Sequence, residues 1–129
     1  MSRTILQSEV FKASPHAVYE ALMDSVTHAA FSGSPASISR EVGGEFSAYD
    51  GYITGKNLEL VPDKKIVQSW RAVDWPAGHY STVTFLFIPI SEGTQLDFTH
   101  TGIPEGEESA FEEGWIDNYW EPMREYLEK

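Results

Sequence analysis

Cysteine is absent from these 129 residues, which removes a disulfide framework, a thiol nucleophile and a zinc knuckle together. Long apolar runs are missing as well, and nothing approaches the roughly 20 residues needed to span a bilayer. The opening Met1-Ser2-Arg3-Thr4-Ile5-Leu6-Gln7-Ser8-Glu9 is polar, without the apolar stretch of about 7–15 residues that a secretory leader carries. These absences make the cytoplasm the expected compartment. Positive charge is scarce too: nine lysines and arginines stand against twenty carboxylates, a formal net charge of −11. The imbalance is local. From Ile103 to Lys129 nine carboxylates face only Arg124 and Lys129, a net of −7, which leaves −4 for the first 102 residues. Such a surface repels phosphate, so neither nucleic acid nor an anionic membrane is an expected partner, whereas a basic protein would suit it. The plainer account is a solvated helix face that keeps the protein in solution.

What remains is ordinary for one globular domain: 41% hydrophobic and 22% charged residues, in a length that can bury one core unaided. Thr4 to Phe11 alternates as a strand, with Ile5, Gln7, Glu9 and Phe11 on one face. Ser14-Pro15 is a helix start, an N-cap followed by proline where its missing N–H costs nothing. Val18, Ala21 and Leu22 stripe a first short helix, and Val26 to Phe31 predicts a second, ended by Ser32-Gly33-Ser34-Pro35. An antiparallel meander follows from Ile38. Phe46 to Tyr49 and Tyr52 to Val61 flank Asp50-Gly51, a tight hairpin signal. Lys65 to Arg71, Tyr80 to Ile90 and Thr94 to Thr101 complete about six strands after the helices. The last segment is helical, with Phe111, Trp115, Tyr119, Met123 and Tyr126 recurring every three or four residues. Pro122 lacks the N–H that would bond the Asn118 carbonyl, so a kink is expected there. A curved sheet packed on one long C-terminal helix is an α+β arrangement, and whether a cavity lies between them is the functional question.

The chemistry-bearing residues are few. His16, His28, His79 and His100 fall in no metal-ligand spacing, and no metal or other cofactor is expected. His16 and His28 have polar neighbours and are expected at the surface. His100 lies on the Leu96/Phe98 face of its strand and is expected inside, as a hydrogen-bonded core histidine or a polar anchor for a ligand. Asp74 and His79 bracket the Trp75-Pro76-Ala77-Gly78 turn within reach of each other, but no nucleophile accompanies them, and Asp74 is expected to cap the turn instead. Arg71 is expected to meet one of the many carboxylates. Trp75 is expected to point outward, onto a strand edge or a partner. Trp120 lies off the helical stripe, so one tryptophan face there should be partly exposed, a candidate hot spot for protein binding. The chain has no glycine-rich phosphate loop and no Gly-x-Ser-x-Gly elbow.

Several motifs together resemble one family. They are Phe11-x-x-Ser14-Pro15, Gly43-Gly44-x-Phe46, Asp50-Gly51, Leu60-Val61-Pro62, Ile66-Val67-x-x-Trp70-Arg71, Trp75-Pro76-x-Gly78-His79-Tyr80, Gly102-Ile103-Pro104 and Gly114-Trp115-x-x-x-Tyr119-Trp120. In this order they are similar to the C-terminal domain of the activators of the heat-shock protein 90 ATPase. The resemblance implies a START-like (SRPBCC) helix-grip fold: two short helices after the first strand, then a curved antiparallel sheet of six or seven strands around the C-terminal helix. It also implies contact with a chaperone's nucleotide-binding domain, and the chain begins almost at that domain's first strand, as a single domain over residues 1–129.

Three functions are weighed from this. A non-enzymatic, co-chaperone-like module would use a protein-contact set of Arg71, Asp74, Trp75, His79 and Trp120. A carrier or sensor would hold an apolar small molecule in a sheet–helix groove lined by Phe46, Trp70, Phe85, Phe87, Phe98, His100, Trp115 and Tyr119, and would need an open cavity of about 300 Å3 or more. An enzyme, such as a hydrolase or cyclase, would need titratable groups converging in that cavity, where only His100 qualifies. An exposed aromatic patch would equally seal a homodimer.

Overall fold

A computed structural model describes residues 4–76 and 78–128. The leader reading on Met1 to Arg3, the Ala77 position of the Trp75–Gly78 turn and Lys129 lie outside the described residues. Strand β1 (Ile5–Phe11) is followed by helices α1 (Pro15–Met23) and α2 (Ser25–Ser32). Six strands come next: β2 (Ser37–Ile38), β3 (Glu45–Ala48), β4 (Ile53–Val61), β5 (Lys65–Ala72), β6 (Ser81–Ile90) and β7 (Gly93–Thr101). The C-terminal helical run is α3 (Glu108–Trp115), a π-helical segment (Ile116–Trp120) and α4 (Glu121–Leu127).

The sheet has seven strands in the order β1-β7-β6-β5-β4-β3-β2, all neighbours antiparallel. Its alternation follows the sequence: in β5 Ile66, Gln68, Trp70 and Ala72 are buried and the residues between them half-buried. Helix α1 starts where expected, with the Ser14 hydroxyl accepting from the Ala17 N–H at 3.2 Å, and Gly33 ends α2 at φ 78°. The β3–β4 turn is Tyr49-Asp50-Gly51-Tyr52, closed by the Tyr52 N–H on the Tyr49 carbonyl at 3.2 Å. Both central residues have positive φ, 57° and 88°, as a primed hairpin turn requires. Gly55 is needed for a different reason. A Cβ there would lie 1.8 Å from the Ser69 carbonyl oxygen and 2.8 Å from the Phe46 ring.

The C-terminal run departs from a simple stripe. Glu121 N–H bonds the Ile116 carbonyl, five residues back, and this wider turn rotates Trp120 beneath Trp115. Their rings stack at 5.5 Å with 21° between planes, and both are buried. The exposed tryptophan expected on this helix is therefore absent from it. Phe111 and Tyr126, expected in the core stripe, are half-buried at its ends. Gln7 of β1 clamps the run to the sheet edge: its Oε1 accepts from the Trp120 indole N–H at 2.6 Å, and its Nε2 donates to the Glu112 carbonyl at 2.9 Å.

Candidate functional site

The deep space between sheet and helix is filled, and open volume of about 320 Å3 remains only at one end, over Trp70, Trp115 and Tyr119, among the described residues. Phe46, Trp70, Phe85, Phe98, His100, Trp115 and Tyr119 do converge there, but each is buried, and Phe87, also buried, packs on Tyr19 of α1 instead. The void left among Phe46, Trp70, Phe85, Trp115 and Tyr119 beside Leu22 and His28 is about 10 Å3, no more than room for one water. Their rings fill it against each other, Phe98 and Trp115 at 4.3 Å and Trp115 and Tyr119 at 4.5 Å between centroids.

His100 is locked in one tautomer by its neighbours. The Ser81 hydroxyl donates to the Trp70 carbonyl at 3.0 Å, so it accepts from His100 Nε2–H at 2.7 Å. The Trp115 indole N–H, which can only donate, reaches His100 Nδ1 at 3.0 Å. Burial pushes the imidazole down to about 3. A neutral ring with both nitrogens engaged has no lone pair or proton to offer a substrate, so His100 is the core histidine of the two readings.

His28 is a correction. It was expected at the surface and is instead buried, its Nε2 3.0 Å from the Tyr119 hydroxyl, with Phe31, Tyr49 and Tyr119 around its ring. Burial lowers it to about 4 and raises the Tyr119 phenol well above its ordinary value, with Tyr49 adding to the rise. Among the described residues His28 Nδ1 finds no hydrogen-bond partner outside its own backbone. The residues that bury it are distant in sequence, so its polar neighbours carried the wrong signal. His16 is exposed as expected and lies 2.9 Å from an Asp63 carboxylate oxygen.

The Trp70–Tyr80 stretch is a latch. Among the described residues Arg71 meets no carboxylate; its guanidinium donates to the Trp75 and Pro76 carbonyls. His79 Nε2 donates to the Gly102 carbonyl at 2.8 Å, which ties the loop to the start of Gly102-Ile103-Pro104. Asp74 and His79 do not pair: Asp74 takes the Tyr52 hydroxyl at 3.2 Å. Trp75, expected outward, is buried with its ring 5.2 Å from Phe111, because the turn closed by its N–H on the Ala72 carbonyl swings it back over the sheet end. Trp120 is likewise buried. Of the five residues proposed for protein contact, Arg71, Asp74 and His79 retain exposed or half-exposed surface.

Three surface concavities stand out among the described residues. One, of about 760 Å3, is a shallow basin over β3–β5 with Glu45 and Lys56 both in its lining. A groove of about 310 Å3 between α2 and α4 carries Asp117, Glu121 and Glu125 over Phe31, Pro122 and Tyr126. A cleft of about 320 Å3 lies between the β3–β4 turn and α3. Tyr49, Tyr52 and Phe111 wall it, and Trp70, Trp115 and Tyr119 lie below. Sequence reasoning singled out the floor residues but missed the wall, because Tyr49 and Tyr52 read as turn flanks. Among the described residues no group of three or more metal-ligating side chains converges, and no helix is long and apolar enough to cross a membrane.

The fold and sequence are shared with known proteins. Residues 12–128 match the family described as activator of Hsp90 ATPase homolog 1-like protein. The human activator of 90 kDa heat shock protein ATPase homolog 1 is 36% identical over 121 residues, covering 94% of this chain and 36% of that protein. The Dictyostelium discoideum activator of 90 kDa heat shock protein ATPase homolog is 37% identical over 118 residues, covering 91% of this chain and 31% of that protein. The crystal structure of an HSP90 activator from Plasmodium falciparum superposes with a TM-score of 0.93 at 31% identity, covering 98% of this chain and 96% of that one. The chain therefore spans about a third of the curated relatives' length, and it belongs to the Hsp90 ATPase activator family with its helix-grip fold.

Proposed function

We propose that this chain is a non-enzymatic binding module that docks on a 90-kDa heat-shock chaperone in the cytoplasm and modulates its ATPase. The observation that carries the reading is 36% identity to the human activator over 94% of the chain. Because the match covers 36% of that relative, both the chaperone partner and the modulation are part of the proposal. Three features of the molecule agree with it. The deep interior is packed aromatic side chain, with a void of only about 10 Å3. Its central histidine is neutral and fully bonded. The net charge of −11 favours a partner with a basic face, since complementary potential speeds encounter and fixes orientation.

The test is calorimetric titration of the chain into a purified 90-kDa heat-shock chaperone, followed by the chaperone's ATP turnover with and without saturating chain. Saturable binding together with a changed turnover rate is the expected result. Absence of binding at high protein concentration would remove the reading, and binding with unchanged turnover would reduce it to docking alone.

A further inference from the structure

We propose that the cleft between the β3–β4 turn and α3 receives an arginine side chain presented by the protein partner. The inference deepens the docking reading and rests on it for the identity of the partner, though not for the chemistry of the cleft.

Its wall is aromatic and reachable: Tyr52 is 42% exposed, and Tyr49 and Phe111 are half-buried. Aromatic faces attract a weakly hydrated guanidinium, which stacks flat where an ammonium would keep its water. A volume of about 320 Å3 sits at the lower end of the roughly 300–1,000 Å3 typical of drug-sized ligands, and suits one long side chain better than a lipid. The polar rim supplies the charge. Glu107 lines the cleft at the N-cap position of α3, yet makes no capping bond there. The neighbouring Glu108 turns back instead, accepting from the Gly106 N–H at 2.9 Å. Behind the rim, outside the cleft lining, the Asp74 carboxylate accepts from the Tyr52 hydroxyl, 3.2 Å from each of its oxygens. Among the described residues no lysine or arginine forms an ion pair with Glu107 or Asp74. One carboxylate thus lines an aromatic box and a second lies behind its Tyr52 hydroxyl, and no lysine or arginine among the described residues neutralises either. An apolar ligand would leave Glu107 facing it unpaired; a guanidinium would take that carboxylate bidentately.

The experiment is a titration of the whole 129-residue chain with Nα-acetyl-arginine methylamide, read by amide nuclear magnetic resonance shifts. The citrulline and leucine analogues are run in parallel. The expected result is saturable shifts confined to Tyr49, Tyr52, Phe111, Gly114 and Asn118, with citrulline and Glu107→Gln each weakening binding by about fivefold or more from loss of the charge-assisted bond. Glu107 is exposed, so that variant should keep the spectrum elsewhere. Equal binding of the leucine analogue would make the cleft an apolar site and overturn the proposal. So would shifts centred on Asp117, Glu121 and Glu125, which would mean diffuse charge attraction, or no shifts at all. Chaperone titration of Glu107→Gln beside Glu113→Gln separates the two readings. Wild-type binding that neither variant weakens sinks the arginine contact and leaves docking intact. Arginine-probe binding without chaperone binding does the reverse.

Discussion

The Tyr49 hydroxyl donates to the Asn118 carbonyl, the acceptor that Pro122, four residues on and lacking an N–H, leaves without its α-helical donor. A side chain from the β3–β4 turn therefore completes the C-terminal helix. Tyr49 reaches it from a strained backbone, with φ 53°, which a non-glycine residue adopts only when its surroundings impose it. Tyr49→Phe should destabilise the fold by about 0.5–1.5 kcal/mol, the net worth of such a bond, in urea-induced unfolding. In a Pro122→Ala background the helix regains a donor of its own, and the same change should cost visibly less. Additivity of the two changes within about 0.3 kcal/mol would show that the two residues are not coupled through that carbonyl.

The chain Trp115 to His100 to Ser81 to Trp70 requires the proton on His100 Nε2 and none on Nδ1. Nitrogen-15 shifts of the imidazole should show that tautomer throughout the neutral range. Ser81→Ala strands both a buried N–H and the Trp70 carbonyl, and should cost about 1–3 kcal/mol or more in stability. A mixture of tautomers in the native protein would mean that the indole is not fixing the ring.

Acid lability follows from the two buried histidines. Burial lowers His28 to about 4 and His100 to about 3, each from an ordinary 6.5. The unfolded chain therefore binds protons that the folded chain refuses across the window below pH 6.5. Their contribution is constant above that pH, and stability falls as pH drops toward 4 and then 3. Each histidine steepens the fall by at most about 1.4 kcal/mol per pH unit. His28→Gln keeps a polar partner for Tyr119 but cannot titrate. The slope of unfolding free energy at pH 5 should flatten by about one proton in this variant, and an unchanged slope would contradict the burial account.

Glycine substitutions should separate close approach from turn conformation. Gly55→Ala puts a methyl 1.8 Å from a backbone carbonyl oxygen in the middle of the sheet, where β4 and β5 would have to part. Gly51→Ala meets nothing within 4 Å but must hold φ near 88°. The turn change should cost about 1–2 kcal/mol, and the sheet change should exceed it in thermal and urea unfolding. If Gly51→Ala were the more damaging of the two, the role assigned to Gly55 would be wrong.

What could be read in advance divides along the range of the interactions involved. Local chemistry announced the α1 cap at Ser14, the turn at Asp50-Gly51 and the inward face of β7 with His100, because each depends on a few adjacent residues. The positions of His28, Trp75 and Trp120 depended on partners far along the chain. His28 is covered by Tyr49 and Tyr119, and Trp75 by Phe111 from a helix that begins over thirty residues later. Trp120 changed sides because a π-turn altered the helical phase, and a 3.6-residue wheel cannot anticipate that. Pro122 was visible as the cause of a disturbance at Asn118, but its remedy lay in Tyr49, on the other side of the fold. The candidate cleft was legible only as a floor, since its aromatic wall is assembled by the hairpin turn.

The acidic bias should act on encounter more than on residence. Asp117, Glu121 and Glu125 repeat every four residues along one groove of the C-terminal run, and Lys12, Lys56 and Lys65 sit elsewhere. A field of this sign steers a basic partner over distances that salt screens within a Debye length of about 8–10 Å at physiological ionic strength. If the chain docks on a chaperone as proposed, raising ionic strength should lower the association rate far more than it raises the dissociation rate. Reversing the three carboxylates to lysine should slow association by about tenfold or more at low salt and leave little further salt dependence. Stopped-flow fluorescence with a labelled chaperone resolves the two rates. A dissociation rate that carries most of the change would place these carboxylates inside the bonded interface, and identical kinetics in the variant would move the encounter surface to another part of the molecule.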